Sequence, residues 1–475
     1  MPHPIESLVL RAGYFDDRSA FLALADLLME AGRHEAALQV LDPLAGQTTV
    51  DGRLRVWMQQ MQVLVRSDRM DDAIRIGREA IADDEVLEDA TPHRLAEMRW
   101  TLMMALRDQG RLAEAIAQLQ LAEPALVASP DPSWRCWFHS QQAVLASMQG
   151  ELRRANEAQA LALAAARTVG RKRMLAGCLQ NGATFATGTG HLVAALDLVD
   201  ECLLLMTDTG GDDHFSAYVH VQRARLWVWL GRYREALDAL EPAAGDDSPL
   251  TPDSRARANH ILAELWARLG QPARSRRALA AAGQLAQSDF EKSVLAQTTG
   301  EVAWMLGEDE APSLEAMRGL ADSDAIAAHI EVLRWRALPV RPARADAAML
   351  RERWLARGLE GHVAVADALA ARDAARAGDP KAAALWAGRA HAALRKVLMP
   401  GIYRPWLHLE IARAALAADR ELAMRALRDG ADWVRSVVRF QVPEPFRDSF
   451  LQSNRINREL LAMAAAEGVE RSPGQ

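Results

Sequence analysis

The chain has 475 residues, half of them apolar, and a net charge of −7 with only four lysines, which disfavours nucleic-acid binding through a broad basic face. No apolar run approaches the roughly 20 residues of a membrane-spanning helix, and no signal peptide is visible at the N-terminus. Three cysteines without metal-type spacing fit a reducing compartment, so we expect a cytoplasmic protein without membrane contact.

The first readable element is LLMEAGRHEAALQVL (27–41), in which Ala37 follows Gly32 by five residues. Apolar residues at helical spacing flank the glycine, so this pattern predicts two helices joined by a tight turn. The same phrase recurs along the chain. It is found at Gly110/Ala115, Gly150/Ala155, Gly190/Ala195, Gly231/Ala236 and Gly378/Ala383. Asp68/Ala73 is the same phrase with aspartate in place of glycine, and Gly270/Ser275 is a weaker copy.

A second position recurs at a constant distance from the turns. Seven residues before the turns a small residue tends to recur, namely Ala25, Ala143, Ala183, Ala224, Ala263, Gly300 and Ala371. The turns from 32 to 270 follow one another at intervals of 36 to 42 residues. A helical hairpin cannot bury both of its faces alone, so we predict an all-α chain of stacked antiparallel hairpins, about ten in number.

Three further phrases, MALRDQGRLAEAIAQL, LWVWLGRYREALDAL and AARAGDPKAAALWAGRA, resemble the tetratricopeptide repeat family. The resemblance implies a right-handed superhelical solenoid. The standard repeat has about 34 residues, whereas this one runs near 40 (the turn intervals above), which is similar to the longer-helix repeats of signalling ATPases of the maltose-regulator type.

The repeat pattern weakens after Gly307, and Pro339 and Pro342 interrupt the following helical segment. We therefore predict a first solenoid block at 1–337, a joint at 338–345 and a second helical-repeat block at 346–439.

The stretch FQVPEPFRDSFLQSNRINRELLAMA (440–464) resembles the terminal signature of bacterial regulators that join a nucleotide-binding ATPase module to a helical-repeat tail. The matching residues are Val442, Pro443, Arg447, Ser449, Phe450, Leu451, Asn454, Asn457, Arg458, Leu460 and Leu461. We predict that 440–467 caps the solenoid, with Phe450 and Leu451 covering its last apolar face, and that 468–475 is a disordered tail.

Catalytic motifs are missing from the sequence. It contains no G-x-x-x-x-G-K-[ST], H-E-x-x-H or G-x-S-x-G string. The glycine pair Gly188 and Gly190 follows a helix rather than a strand, and Gly190 is already a repeat turn. We expect neither catalytic residues nor a cofactor or metal, and therefore a protein that is not an enzyme.

In the tetratricopeptide arrangement the first helix of each hairpin lines a concave groove. Counted back from each turn, the groove positions would be Trp100, Trp137, Gln180, Arg225, His260, Glu264, Gln297 and Glu301. Aromatic residues and arginine often anchor interfaces. For Trp100 and Trp137 the favoured alternative is packing between repeats, as for Trp227 and Trp266.

Recognition is the remaining function. We expect a scaffold that binds a partner peptide or helix in its groove, in bacterial signalling or transcriptional regulation. The partner would be another protein, and a nucleotide-binding regulatory ATPase is one candidate. The alternative is the detached sensor half of a signalling ATPase regulator, binding a small-molecule effector.

Overall fold

The computed structural model describes residues 18–45, 49–207, 213–248, 250–286, 289–309, 311–318, 324–337 and 344–469. All regular structure in these ranges is helical, and they contain no strand. The chain divides into two compact units. The first comprises 1–145 and 164–169, and the second comprises 146–163 and 170–475.

The first unit is a series of helical hairpins. Its helices are α1 (Arg18–Glu30), α2 (His34–Ala45), α3 (Val50–Arg66), α4 (Met70–Ala82), the short α5 (Asp84–Asp89), α6 (Pro92–Asp108), α7 (Leu112–Val127) and most of α8 (Ser133–Met148). The end of α9 (Leu152–Val169) also belongs to this unit.

The second unit continues the pattern. After the first part of α9 come α10 (Lys172–Thr189), α11 (Leu192–Thr207), α12 (Asp213–Leu230), α13 (Tyr233–Ala244), α14 (Pro252–Arg268), α15 (Pro272–Leu285), α16 (Asp289–Leu306), α17 (Ala311–Arg318), α18 (Asp324–Ala337), α19 (Arg344–Ala356), α20 (Glu360–Arg376), α21 (Pro380–Ala393), α22 (Arg404–Ala415) and α23 (Arg420–Phe440). A 3₁₀ turn (Glu444–Phe446), a π turn (Ser449–Ser453) and α24 (Arg455–Ala466) complete it.

The predicted turns are confirmed. Gly231 has a φ of +82°, and Asp68, which replaces glycine in the second hairpin, has a φ of +60°. This left-handed conformation is one that aspartate tolerates better than most side chains. The all-α solenoid of antiparallel hairpins that the sequence predicts is therefore present, while the exact number of repeats stays a prediction.

The small position after the turn is a recurring buried position of the hairpins. The residue five positions after the turn is completely buried at Ala37, Ala73, Ala115, Ala155, Ala195, Ala236, Ser275 and Ala383. Ser275 departs from alanine, and its hydroxyl donates a 2.7 Å hydrogen bond to the carbonyl of Ala263, the small residue of the facing helix. Because the two helices approach closely at this position, the Ala263 carbonyl lies within hydrogen-bonding distance of the serine hydroxyl.

The turn at Gly358 was not predicted from the sequence. Gly358 has a φ of +78° and joins α19 to α20, inside the interval where the repeat pattern fades. A Cβ added there would lie 2.7 Å from the backbone nitrogen of Arg153. The glycine therefore serves both a turn and a close contact with another hairpin of the second unit.

The late part of the second unit packs along the turns of its earlier hairpins. Leu398 donates its N–H to the Gly190 carbonyl at 2.9 Å. Ser449 Oγ donates to the Leu269 carbonyl at 2.7 Å. Arg455 donates to the Trp304 carbonyl at 2.6 Å. Residues on both sides of the predicted joint therefore lie in one compact unit, and 338–343 of that joint lie outside the described residues.

The C-terminal segment makes two kinds of contact. Its helix α24 packs on α22 and α23, the last hairpin before it. Phe450, fully buried, instead contacts the ring of Tyr233 at a centroid distance of 5.9 Å, next to an earlier turn. The capping role of 440–467 stays a prediction. Of the predicted tail, Val469 is buried and 470–475 lie outside the described residues.

Candidate functional site

A cavity of about 240 Å³ opens on the face formed by the first helices of successive hairpins in the second unit. The four helices that contribute to it are α10, α12, α14 and α16. The lining residues are Thr184, Thr187, Tyr218, Val221, Gln222, Arg225, Leu226, Trp229, Arg257 and Val294.

The local sequence determines where α14 begins. Thr251 caps the start of α14 by accepting a hydrogen bond from the Ser254 N–H, and Pro252 occupies the first helical position. Beyond its first turn α14 is buried on nearly all sides. A helix buried all round is normally apolar, so the polar residues that α14 carries require partners from its neighbours.

The rim of the cavity is a cluster of amide and hydroxyl groups. Gln222 on α12 donates to Thr184 Oγ1 on α10 at 3.2 Å. Gln180, predicted from the sequence as a groove residue, donates to the same oxygen at 3.1 Å. These contacts connect two first helices at the surface of the cavity.

Below the rim, Arg225 contacts His260, another residue that the sequence places among the groove candidates. An N–H of the Arg225 guanidinium donates to His260 Nε2 at 3.0 Å. Burial, and then the charges of Arg225 and Arg257, hold the pKa of His260 well below its usual range. The imidazole is therefore neutral near pH 7, and its Nδ1 lies 3.4 Å from Thr298 Oγ1. This neutral ring orients Arg225 without cancelling its charge.

A buried carboxylate lies beneath the cavity. Glu264 accepts hydrogen bonds from Trp229 Nε1 at 3.0 Å and from Arg268 at 2.5 Å. Burial raises the pKa of Glu264, and the Arg268 charge opposes that rise. Arg268 also donates to the carbonyls of Val228 and Gly401. These hydrogen bonds connect the lining residue Trp229, through Glu264 and Arg268, to the late part of the same unit.

Two other predicted residues lie on α16. The buried Glu301 accepts a 2.8 Å hydrogen bond from Arg336, whose guanidinium lies 4.0 Å from the centroid of Trp304. Gln297 is half-buried one helical turn earlier. Glu301 therefore takes part in a buried ion pair, which is a structural role.

The two tryptophans proposed for the groove lie in the first unit. Trp100 and Trp137 both contact Trp134 edge to face, at centroid distances of 5.8 and 4.9 Å. Trp100 is partly buried against the core of its unit, whereas Trp137 is 37% exposed. The contact of Trp100 joins two neighbouring helices, α6 and α8, whereas Trp134 and Trp137 lie on the same helix. A groove role stays a prediction for both Trp100 and Trp137.

Sequence reasoning missed several lining residues, among them Tyr218, Gln222 and Arg257. A signal for them existed. Tyr218, Gln222, Arg225 and Trp229 are spaced by four, three and four positions, which places them on one face of α12. Extending the predicted groove residues Arg225 and His260 by one or two helical turns toward the N-terminus would have found them.

The rest of the described chain offers little other site chemistry. No described helix is long and apolar enough to cross a membrane. Among the described residues no three His, Cys, Asp or Glu side chains lie close enough together to hold a metal ion. All three cysteines are buried and unbridged, and burial raises the pKa of Cys202 to about 11.

Comparisons with known proteins identify the fold. No protein-family model matches the sequence, and no curated protein matches it. Among solved structures, NprR in complex with its cognate peptide NprX superposes with a TM-score of 0.55 at 15% identity, over 72% of this chain and 98% of that one. The apo form of the quorum sensor NprR from B. thuringiensis gives 0.48 at 12% identity, over 73% and 100%.

A third solved structure is a signal transduction ATPase with numerous domains, carrying a tetratricopeptide repeat sensor, from Pyrococcus horikoshii. Its TM-score is 0.43 at 12% identity, over 69% of this chain and 53% of that one. The NprR–NprX structure shows that the two chains share a fold. The fold of this chain is a tetratricopeptide-like helical-repeat solenoid.

Proposed function

We propose that this chain is a non-enzymatic scaffold that binds a peptide segment of a partner along the first helices of the hairpins in its second unit. The observation that carries the proposal is the cavity between α10, α12, α14 and α16. It combines two arginines, an amide and two hydroxyl-bearing threonines with the aromatic rings of Tyr218 and Trp229. Arginine and aromatic residues are the side chains that most often anchor interfaces.

The polar network beneath the cavity supports binding because it fixes the lining residues in advance. Trp229 is held by Glu264, and Arg225 by His260. A side chain that is already ordered loses less conformational entropy when a ligand binds. A peptide backbone also needs donors and acceptors, and the side-chain amide of Gln222 presents both kinds of group at the rim.

The shared fold with NprR supports a peptide as the ligand class. That protein was crystallised with its cognate peptide NprX. The likeness concerns the fold, and function on a shared fold depends on the site. The lining residues described above therefore carry the proposal, and the comparison adds to it.

The biological setting we propose is bacterial signalling or transcriptional regulation. The partner would be a protein, with a nucleotide-binding regulatory ATPase as one candidate. This follows from the likeness of the C-terminal stretch to the terminal signature of such regulators. Adding ATP to the binding experiment below tests it, because an ATPase partner would bind differently in its nucleotide-bound state.

Photo-crosslinking tests the proposed groove. A benzophenone amino acid is placed at Gln222 in the cavity and, as the control, at Leu204, which is 71% exposed. Both proteins are irradiated in lysate of the native cell, and crosslinked peptides are identified by mass spectrometry. We expect one peptide segment to crosslink at position 222 alone, and its synthetic copy to bind the purified chain. Equal labelling at both positions, or none at 222, would refute the proposal.

A small-molecule effector is the second candidate, and the cavity itself is the observation that favours it. Its volume of about 240 Å³ lies just below the roughly 300–1,000 Å³ of cavities that enclose drug-sized ligands. Such a ligand would raise the melting temperature in a saturable way. A panel of metabolites that leaves the melting curve unchanged would count against this candidate.

A further inference from the structure

We infer that the first unit binds a proline-rich segment of a partner on a tryptophan cluster formed by Trp100, Trp134 and Trp137. Trp100 lies on α6, and Trp134 and Trp137 lie on α8, the first helices of two successive hairpins. The cluster shares no residue with the cavity of the second unit, and the inference does not depend on the function proposed for that cavity. It rests on the arrangement of the rings and on the hydrogen-bond donors that they carry.

The rings of the cluster are only partly covered. Trp134 meets both Trp100 and Trp137 edge to face, with an interplanar angle of 86° in each pair. In such a pair, the ring that supplies its edge keeps both of its faces free of that contact. Trp137 is 37% exposed, and Trp100 and Trp134 are half-buried. The cluster therefore presents aromatic surface in more than one orientation.

The three indoles also carry donors without acceptors. Among the residues that the structure describes, none of their N–H groups takes part in a hydrogen bond. Trp229 and Trp335 differ in this respect, because they donate to the carboxylates of Glu264 and Asp373. An indole has a donor and no acceptor. The cluster is therefore suited to a ligand that brings acceptors.

This excess of donors selects the ligand. An ordinary peptide segment brings one backbone N–H for every carbonyl, and an N–H held against the indoles would find no acceptor on them. Proline has a carbonyl and no N–H. A proline-rich segment in the polyproline II conformation makes no internal hydrogen bonds, so its carbonyls are open to the indole donors. Because this conformation is formed before binding, less entropy is lost when it docks on aromatic rings.

A cationic side chain is another ligand that aromatic faces attract, but it would leave the three donors unused. The acid on the same face of α6, Glu97, lies three positions before Trp100. It accepts a hydrogen bond from Arg94 and lies 3.4 Å from His93 Nε2. Since its charge is already opposed by Arg94, the surface favours an uncharged segment over a cation.

Matched peptide pools test this inference. The full chain is immobilised and exposed to an equimolar mixture of two nonapeptide pools, (Pro-Pro-X)3 and (Ala-Ala-X)3, in which X is any residue except proline. Retained peptides are quantified by mass spectrometry. We expect the proline pool to be retained about tenfold more than the alanine pool, since truncating a tryptophan that anchors an interface typically costs at least this factor in affinity.

Variants assign the preference to the cluster. In Trp137→Ala the proline-to-alanine ratio should fall below about twofold. Trp137→Phe keeps an aromatic ring and loses the N–H, so it should lower the ratio about threefold. The control Leu121→Ala removes an apolar side chain that is 60% exposed on α7 and should keep the ratio of the parent chain. Circular dichroism melting checks the fold of each variant, and the ratio of the parent chain tests the inference even if a variant fails to fold.

Four outcomes overturn the inference. Equal retention of both pools by the parent chain would refute proline recognition. An unchanged proline preference in folded Trp137→Ala would place the binding on another surface. Retention that follows lysine or arginine at X, in both pools alike, would assign the rings to a cation instead. Retention of neither pool would remove the inference and leave the function proposed for the second unit standing, because crosslinking at Gln222 tests that function separately.

Discussion

Trp229 donates its indole N–H to the carboxylate of Glu264, at 3.0 Å to one oxygen and 3.2 Å to the other. The two residues lie on α12 and α14, 35 positions apart. The same interval separates Arg225 from His260 and Glu301 from Arg336. These buried polar contacts repeat between successive first helices. Because a buried polar group left without its partner is costly, such contacts favour one register of neighbouring hairpins.

The carboxylate of Glu264 should therefore matter for stability. In Glu264→Gln the buried Arg268 loses the negative charge that faces it, at a side-chain exposure of only 1%. Breaking a buried pair on one side typically costs 3–5 kcal/mol, so we expect a loss of about 3 kcal/mol in the free energy of unfolding. Urea denaturation followed by circular dichroism measures it.

Glu235→Gln is the matched control for this substitution. Glu235 pairs with Arg232 at 2.9 Å, but both side chains are partly exposed, at 32% and 42%. Exposed pairs contribute about 0–1 kcal/mol. Similar losses in the free energy of unfolding in Glu264→Gln and Glu235→Gln would mean that the buried pair contributes no more to stability than the exposed pair.

A pair of glycine substitutions separates backbone strain from packing. Gly270 and Gly378 have φ values of +71° and +73°. A Cβ at Gly378 would meet nothing within 4 Å, whereas at Gly270 it would lie 2.4 Å from the Ser449 carbonyl oxygen. We expect Gly378→Ala to cost about 1–2 kcal/mol, the penalty of a left-handed residue with a Cβ. Gly270→Ala should cost at least about 2 kcal/mol more.

The site of the damage is also predicted. Hydrogen exchange should rise in the segment around Ser449 and Asn454 in Gly270→Ala, because that segment is anchored to Leu269 and Arg268 by side-chain hydrogen bonds. In Gly378→Ala it should stay at the level of the parent chain. Equal losses of stability and equal hydrogen exchange in the two variants would show that the C-terminal segment can move away from residue 270 without loss of stability.

These contacts also mark the limit of what the sequence could predict. The hairpin turns were predictable because they depend on local chemistry, even at Asp68, where aspartate takes the place of glycine. The anchoring of Ser449 to Leu269 joins residues 180 positions apart, and no local pattern encodes such a contact. Long-range packing of this kind depends on surfaces that exist only after the hairpins form.

The residues of the candidate site also divide into those that the sequence could predict and those that it could not. Arg225, His260 and Glu264 were identified because each lies at a fixed distance before its turn. Arg257 was missed, although it precedes His260 by three positions and shares its helix face. Which of these residues line the cavity and which lie beneath it depends on burial. Sequence spacing does not reveal which residues are buried. The polar residues on α14 resemble a solvent-exposed helix face unless the positions of the neighbouring helices are known.

Stability should fall at acidic pH partly through His408. Burial, followed by the charges of Arg404 and His391, lowers the pKa of His408 from 6.5 to about 3. The unfolded chain then binds a proton that the folded chain excludes. The stability contribution is complete above about pH 6.5 and is lost as the pH falls toward 3.

We test this with His408→Leu. Between pH 7 and pH 4.5 the variant should lose about 2 kcal/mol less stability than the parent chain, since one pKa unit corresponds to 1.36 kcal/mol. Urea midpoints at the two pH values give the difference. Leu204→Ala, at a position that is 71% exposed, is the control and should follow the parent chain because it removes no titratable group. An unchanged pH dependence in His408→Leu would mean that this ring is protonated in the folded chain.

Asp367 gives a pH dependence of the opposite sign. It lies on α20 with only 3% of its surface exposed, and its Oδ1 is 3.3 Å from Arg351 Nε. Burial raises its pKa from 3.8 to about 6, although Arg351 and Arg389 oppose the rise. The folded chain binds the proton more tightly than the unfolded chain. The contribution of Asp367 is therefore present below about pH 3.8 and is lost as the pH rises through 6.

The substitution Asp367→Asn removes this titration. Relative to the parent chain, the variant should gain stability as the pH rises from 4 to 7, by about 2 kcal/mol, because the asparagine has no proton to lose. Urea midpoints across this range measure the change in slope, so any constant loss from the contact with Arg351 drops out. The control Leu385→Ala, at a position that is 54% exposed, should leave the slope unchanged because it removes no titratable group. A parallel profile for Asp367→Asn would show that the carboxylate is ionised at pH 4 in the fold, with Arg351 outweighing the effect of burial.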